Sequence, residues 1–327
     1  MSDAASVSPR PSTARLVAAF AAVYVLWGST YLGIRFSMET LPPFFTQGVR
    51  YFVAGVVLFA WARRSGAAKP TPREWGGGVV AGVLMFVGGT GGLVWAEKLI
   101  PSGVAALVVA TEPAAFVLIE SVRRRHLPLG AVLGGLALGA LGLLVLVGPG
   151  DLLGGERFAL PALVVLVAGT FCWAGGSLFS RGSRLPASPI MATAVTLLSG
   201  GARLAIVGVA AGELSRFDPA AVSAKSVLAT AYLLVFGSIV GFTAYLWLLR
   251  VTTVARVSTY AYVNPVVAVL LGWALAGEPL TTRVGLAAAV IVGAVAIIIR
   301  HGGEDTELVS PGEADLGCEK APETLHA

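Results

Sequence analysis

Few residues in this chain are of a type that does chemistry, and Glu112 is the sharpest of them. It lies near the middle of the apolar run from Ser102 to Val122. As a helix that run would be about 31 Å long, close to the hydrocarbon thickness of a bilayer. A carboxylate at such depth is costly and is a functional candidate by default. Pro113 follows at once, removing a backbone donor and weakening the helix there. Two roles suit the carboxylate. As a proton carrier it would hold a proton in a dry cavity and release it in a wet one; as a fixed counter-charge it would face a substrate amine or guanidinium. The alternative is a structural ion pair with Arg50 in the second apolar segment or Arg203 in the seventh. Arg50 is itself a substrate-binding candidate, because it too lies within an apolar segment.

Polar and aromatic residues recur four apart, which places each pair on one helix face. Trp27 and Tyr31 form one such pair, Trp173 and Ser177 a second, and Tyr260 and Asn264 a third. Val108 and Glu112 hold the corresponding positions in the fourth segment. These four segments are expected to bring their polar faces to one depth, as a polar substrate requires in an apolar pore. Trp95 and Trp247 fall near segment ends, where tryptophan commonly anchors at headgroups. Arg35, also near an end, is expected to snorkel outward.

The elements that must position these residues follow from composition. The chain has 327 residues, 56% of them hydrophobic and 13% charged. Soluble domains carry roughly 25% charged residues, so this chain is an integral membrane protein. The apolar segments are expected at about 16–36, 44–62, 75–96, 102–122, 128–148, 159–180, 189–211, 226–249, 254–276 and 282–300. A polar tail precedes them over 1–15, and an acidic, disordered tail follows over 301–327. The net charge of +5 does not signal nucleic acid, because the basic residues are scattered through short loops. Fourteen Lys and Arg fall in the segments on the amino-terminal side of the bilayer. Five (Lys98, Arg157, Arg216, Lys225 and Arg283) fall on the other, which puts both termini in the cytoplasm.

The second half of the chain echoes the first. WGSTYLGIR at Trp27–Arg35 returns as WAGGSLFSR at Trp173–Arg181, and Pro43 and Gly55 match Pro189 and Gly201, all offset by 146 positions. Trp95 and Pro113 match Trp247 and Pro265 at an offset of 152, with Asn264 where Glu112 stood. Five segments per half is an odd number, so the second half must enter the membrane from the opposite side. Duplication with that parity gives an inverted repeat over 16–148 and 157–300. Two proline-interrupted helices at matching positions then point to a transport site at the midplane.

The paired motifs carry a resemblance. WGSTY near the start, PSGVAALVVAT, and YAYVNPVVAVLLG followed by Glu278-Pro279 resemble the EamA domains of the drug/metabolite transporter superfamily, in particular its drug/metabolite or amino-acid exporter subgroup. The similarity covers about 16–300. It implies an all-α protein of ten transmembrane helices in two inverted five-helix repeats, around a central cavity and working by alternating access. The function implied is export of small metabolites, amino acids or drugs from a bacterial inner membrane, with protons as the candidate coupling ion. Nearest in class is a nucleotide-sugar or other solute permease of the same superfamily. An intramembrane enzyme is the weaker rival, because the apolar segments hold Cys172 and several hydroxyls but no histidine to act as base or metal ligand. No cofactor or metal is expected. The partners are the lipid bilayer and a small-molecule substrate, and monomer and homodimer stay equally open.

Overall fold

The computed structural model describes residues 12–125, 130–147, 159–181 and 185–308, and among these every regular element is helical. Arg10, His126, Arg157, Arg184, Cys318 and His326 lie outside the described residues, as do 1–11 and 309–327 of the two tails. Helix α1 is Thr13–Ser37, α2 Pro43–Arg64, α3 Pro72–Ala96 and α4 Ser102–Arg123. Then come α5 Gly130–Val147, α6 Ala159–Ser180, α7 Pro189–Ala210, α8 Ala224–Val251, α9 Tyr260–Ala276 and α10 Thr282–Leu308. The first eight residues of the expected acidic tail therefore continue the last helix. Seven of these helices are long and apolar enough to cross a membrane, and α5, α9 and α10 contain shorter apolar stretches.

Local sequence sets the helix ends. Proline at the first helical position opens α2, α3 and α7, where its missing N–H would have been unpaired anyway. At α3 the Thr71 and Glu74 side chains close a capping box. Gly277, at φ +65°, ends α9 in the left-handed conformation that glycine adopts without strain.

Pro113 breaks α4 as expected. One helix ends at Val109 and the next begins at Glu112, with Thr111 bonded back to the carbonyl of Val108. The matching break at Pro265 does not occur, because α9 runs unbroken through it from Tyr260. The chain instead turns at Ser258 and Thr259, so Pro265 lies near the start of a fresh helix and its lost donor strands few carbonyls. Three helices carry wider π turns: Ala22–Leu26 in α1, Val83–Thr90 in α3 and Leu233–Gly241 in α8.

Helices related by the repeat touch each other. On α2 and α7, a Cβ at Gly48 would sit 2.2 Å from the backbone nitrogen of Ala205, and one at Gly201 would sit 2.5 Å from that of Phe52. Only glycine permits so close a crossing. The main apolar cluster joins Val23, Tyr51, Leu58, Phe86, Leu204, Phe242 and Tyr245 from α1, α2, α3, α7 and α8. Trp95 and Trp247, expected as headgroup anchors, pack half-buried against core clusters. Outward-facing side chains such as Val53, Val57, Trp61, Ile206, Leu228 and Trp273 are exposed, as a lipid-facing surface requires.

Candidate functional site

A cavity of about 100 Å³ lies between the helices, several times the room one water needs. Its wall takes Trp27, Thr30, Tyr31 and Ile34 from α1, Arg50 and Tyr51 from α2, and Phe86, Gly89, Thr90 and Leu93 from α3. The rest of the wall is Val109 and Glu112 from α4, Leu166, Gly169, Thr170 and Trp173 from α6, Gly237 and Phe242 from α8, and Tyr260 and Asn264 from α9. Of the residues expected at the substrate site, Trp27, Tyr31, Arg50, Glu112, Trp173, Tyr260 and Asn264 thus line one space. Ser177 does not; it lies behind the wall and bonds the Tyr245 hydroxyl at 2.8 Å and the Trp173 carbonyl at 2.8 Å.

The break in α4 puts Glu112 at the first turn of a new helix, where the exposed amides favour negative charge. Its Oε2 accepts from the Tyr260 hydroxyl, while Oε1 is buried and finds no partner among the described residues. Arg50 is held by α8 and by its own helix. It donates to the Leu233 carbonyl at 3.1 Å, to Ser238 Oγ at 3.4 Å and to the Tyr51 hydroxyl at 2.7 Å, and its Nε has no partner among the described residues. The Tyr51 hydroxyl passes the link on to Thr90 Oγ1 at 3.2 Å. The structural ion pair weighed for Glu112 is not formed. Arg50 is anchored on the π turn of α8, and Arg203 donates to the Ser199 carbonyl of its own helix at 2.8 Å. A carboxyl and a guanidinium therefore line one cavity without pairing with each other, and the Asn264 amide oxygen is also without a partner among the described residues.

Aromatic rings make the rest of the wall. The Trp27 ring centre is 5.6 Å from Trp173, 4.7 Å from Tyr245 and 5.6 Å from Tyr260, and Phe86 and Phe242 are 5.0 Å apart. The two tryptophans are seated alike. A Cβ at Gly241 would lie 2.5 Å from Trp27 Nε1, and one at Gly89 would lie 3.1 Å from Trp173 Cε3. Gly89 and Gly241 are themselves repeat partners, offset by the same 152 positions as Trp95 and Trp247. Each half thus lends a glycine of a π-turn helix to receive the other half's tryptophan.

Sequence reasoning missed Tyr51, Thr90 and Tyr245. Thr90 carried a signal, standing alone as a polar residue within GGTGG. Tyr245 carried none, because its role depends on which helix packs behind it. At the end of the bundle where α1 finishes, Arg35 does not snorkel. Its Nη1 binds Glu278 Oε1 at 2.7 Å.

The arrangement can hold a small solute by charge, hydrogen bonds and ring faces. It offers no nucleophile paired with a base, and no group of three metal-binding side chains occurs among the described residues. An all-helical membrane bundle around such a cavity is a solute transporter in class. The EamA-like transporter family matches residues 15–148 and 160–300, and the chain belongs to it. It is 38% identical to the inner membrane transporter YedA of Escherichia coli (strain K12), over 86% of this chain and 90% of that one. A Salmonella typhimurium protein named "Probable amino-acid metabolite efflux pump" is 26% identical over 49% of this chain and 51% of its own. A solved crystal structure aligns with 88% of this chain and 98% of its own at TM-score 0.61 and 20% identity, which shows a shared fold. The protein is a membrane transporter and not an enzyme.

Proposed function

We propose that the protein exports a small polar or amphipathic metabolite from a bacterial inner membrane by alternating access, with Glu112 as the proton carrier. The observation that carries this is that Glu112 and Arg50, two buried ionisable side chains that form no ion pair with each other, line one cavity. Burying two charges without pairing them is unfavourable unless something else meets them, and a solute with its own polar groups does that. Trp27, Tyr31, Trp173, Tyr260 and Asn264 complete the binding wall, with Ser177 acting through Tyr245. The seven long helices and three shorter apolar ones support ten spans, five in 16–148 and five in 157–300, in inverted orientation with both termini cytoplasmic. A cavity of about 100 Å³ suits a metabolite of amino-acid size better than a nucleotide sugar.

The test uses purified protein in liposomes. Solute counterflow with a small amino-acid or amine substrate is the expected activity. Glu112→Gln keeps the shape and a hydrogen-bonding head but cannot ionise. It is expected to abolish accumulation driven by a pH gradient while exchange down the solute gradient persists. Loss of both, worst for cationic solutes, would assign Glu112 to substrate charge instead. Accumulation with the wild-type pH dependence would remove it as proton carrier.

A further inference from the structure

A second buried carboxylate lies outside the cavity. Glu97 is the first residue beyond the Pro72–Ala96 span, at the end of the bundle where Ser37, Ala96, Ser102 and Ala276 meet, called here the distal face. It is 7% exposed, and both of its carboxylate oxygens are buried without a hydrogen-bond partner among the described residues. Its neighbour Glu278 is the opposite case. Glu278 Oε1 accepts from Arg35 Nη1 at 2.7 Å, Ser102 N at 3.0 Å and Ser102 Oγ at 2.6 Å, and Oε2 accepts from Gly103 N at 3.1 Å. That one carboxylate ties the ends of α1, α4 and α9 together. The fit is close, since a Cβ on Gly272 would lie 2.4 Å from Glu278 Oε2.

We propose that Glu97 is a proton-binding site that governs the Arg35–Glu278 latch on the distal face. With Glu97 neutral, the cluster holds one positive and one negative charge, and the latch stays shut. With Glu97 ionised, a second carboxylate with no donor of its own is buried beside Glu278. It repels Glu278, competes for Arg35, and is relieved when the helix ends part and admit water. The proton leaves to that water, the hydrogen bonds of the latch are released, and no other covalent bond changes.

The surroundings agree with this. Burial chiefly, and then Glu278, push the Glu97 carboxyl well above the usual carboxylate range, against an opposing pull from Arg35. Arg35 from α1 and Glu278 from the link between α9 and α10 both act on it. The Tyr31 hydroxyl lies within electrostatic reach toward the cavity. Lys98, next in the chain, turns instead to Glu213 at 3.9 Å and to the Phe44 ring at 5.1 Å. The sign follows. A group whose proton is held more tightly in the latched state favours latching at low pH and opening as pH rises. The inference rests on the transporter reading only in requiring a cavity that opens at the distal face.

Full-length protein with Cys172→Ala, Cys318→Ala and a single Leu93→Cys in the cavity wall tests it. It is held in detergent so that both faces meet the chosen pH. Labelling by a bulky polar maleimide, corrected for the intrinsic pH dependence of thiol reactivity, is expected to rise about tenfold between about pH 5.5 and about pH 8, within the tenfold per pH unit that one proton allows. Glu97→Gln should label slowly at both values, and Glu278→Gln rapidly at both. Glu97→Asp keeps a carboxyl and should keep the pH response, so the test survives a Gln variant that folds poorly. A pH-independent wild type, or a Glu97→Gln protein with the wild-type response, overturns the proposal. A response lost in Glu112→Gln but kept in Glu97→Gln also overturns it, yet leaves Glu112 as the proton carrier.

Discussion

At the scale of single residues, the cavity is defined by what its polar atoms lack. Arg50 Nε, Glu112 Oε1 and Asn264 Oδ1 are each buried without a partner among the described residues, and all three side chains line the same space. Asn264→Ala removes one potential hydrogen bond, so apparent substrate affinity should fall about 2- to 10-fold. Trp27→Ala removes a ring that contacts Trp173, Tyr245 and Tyr260, and transport per folded molecule should fall further. Counterflow normalised to monodisperse protein measures both, and wild-type rates in the two variants would show that the solute binds elsewhere. These residues were legible in the sequence because spacing by four and the internal repeat need no knowledge of packing. The Glu112–Tyr260 bond was not legible, since it joins residues 148 positions apart. The same holds for the capture of Arg50 by the Leu233 carbonyl.

At the scale of elements, proline gave a partial guide. Pro113 broke its helix and Pro265 did not, because the chain had already turned at Ser258 and Thr259. The π turns of α3 and α8 carry no proline at all. Their sequence mark is glycine, and glycine here serves contact between helices rather than a turn. Gly241 and Gly89 seat Trp27 and Trp173, and the two seats differ in clearance. Gly241→Val drives its Cβ to 2.5 Å from Trp27 Nε1, against 3.1 Å from Trp173 Cε3 for the mirrored Gly89→Val. Overpacking of this kind costs about 1–3 kcal/mol. Gly241→Val should therefore lower both the melting temperature and transport more than Gly89→Val does. Thermal denaturation by tryptophan fluorescence reads the order, and equal or reversed effects would mean that the clearance at the two glycines does not decide what each seat tolerates.

At the scale of the whole molecule, the repeat organises what each face does. On the distal face, charges are engaged between helix ends: Arg35 with Glu278, Lys98 with Glu213 at 3.9 Å, and Lys225 with Glu39 at 2.6 Å. On the opposite face, arginines reach backbone carbonyls. Arg181 donates to Leu249 O at 3.1 Å, and Arg250 donates to Pro186 O at 2.9 Å and Ala187 O at 2.7 Å. Under the positive-inside rule, the 14-to-5 division of basic residues predicts that this second face is the cytoplasmic one. Ala68, in the link between α2 and α3, and Asp218, in the link between α7 and α8, are both exposed. They lie on opposite faces if the second half is inverted. In a cysteine-free background, Asp218→Cys should react with an impermeant maleimide added to intact cells, and Ala68→Cys should react only after the membrane is opened. If the halves ran parallel instead, α2 and α7 would cross in the same direction and both links would lie on one side. Labelling of both positions in intact cells, or of neither, would therefore rule out the inverted repeat and with it the two-fold relation between the tryptophan seats.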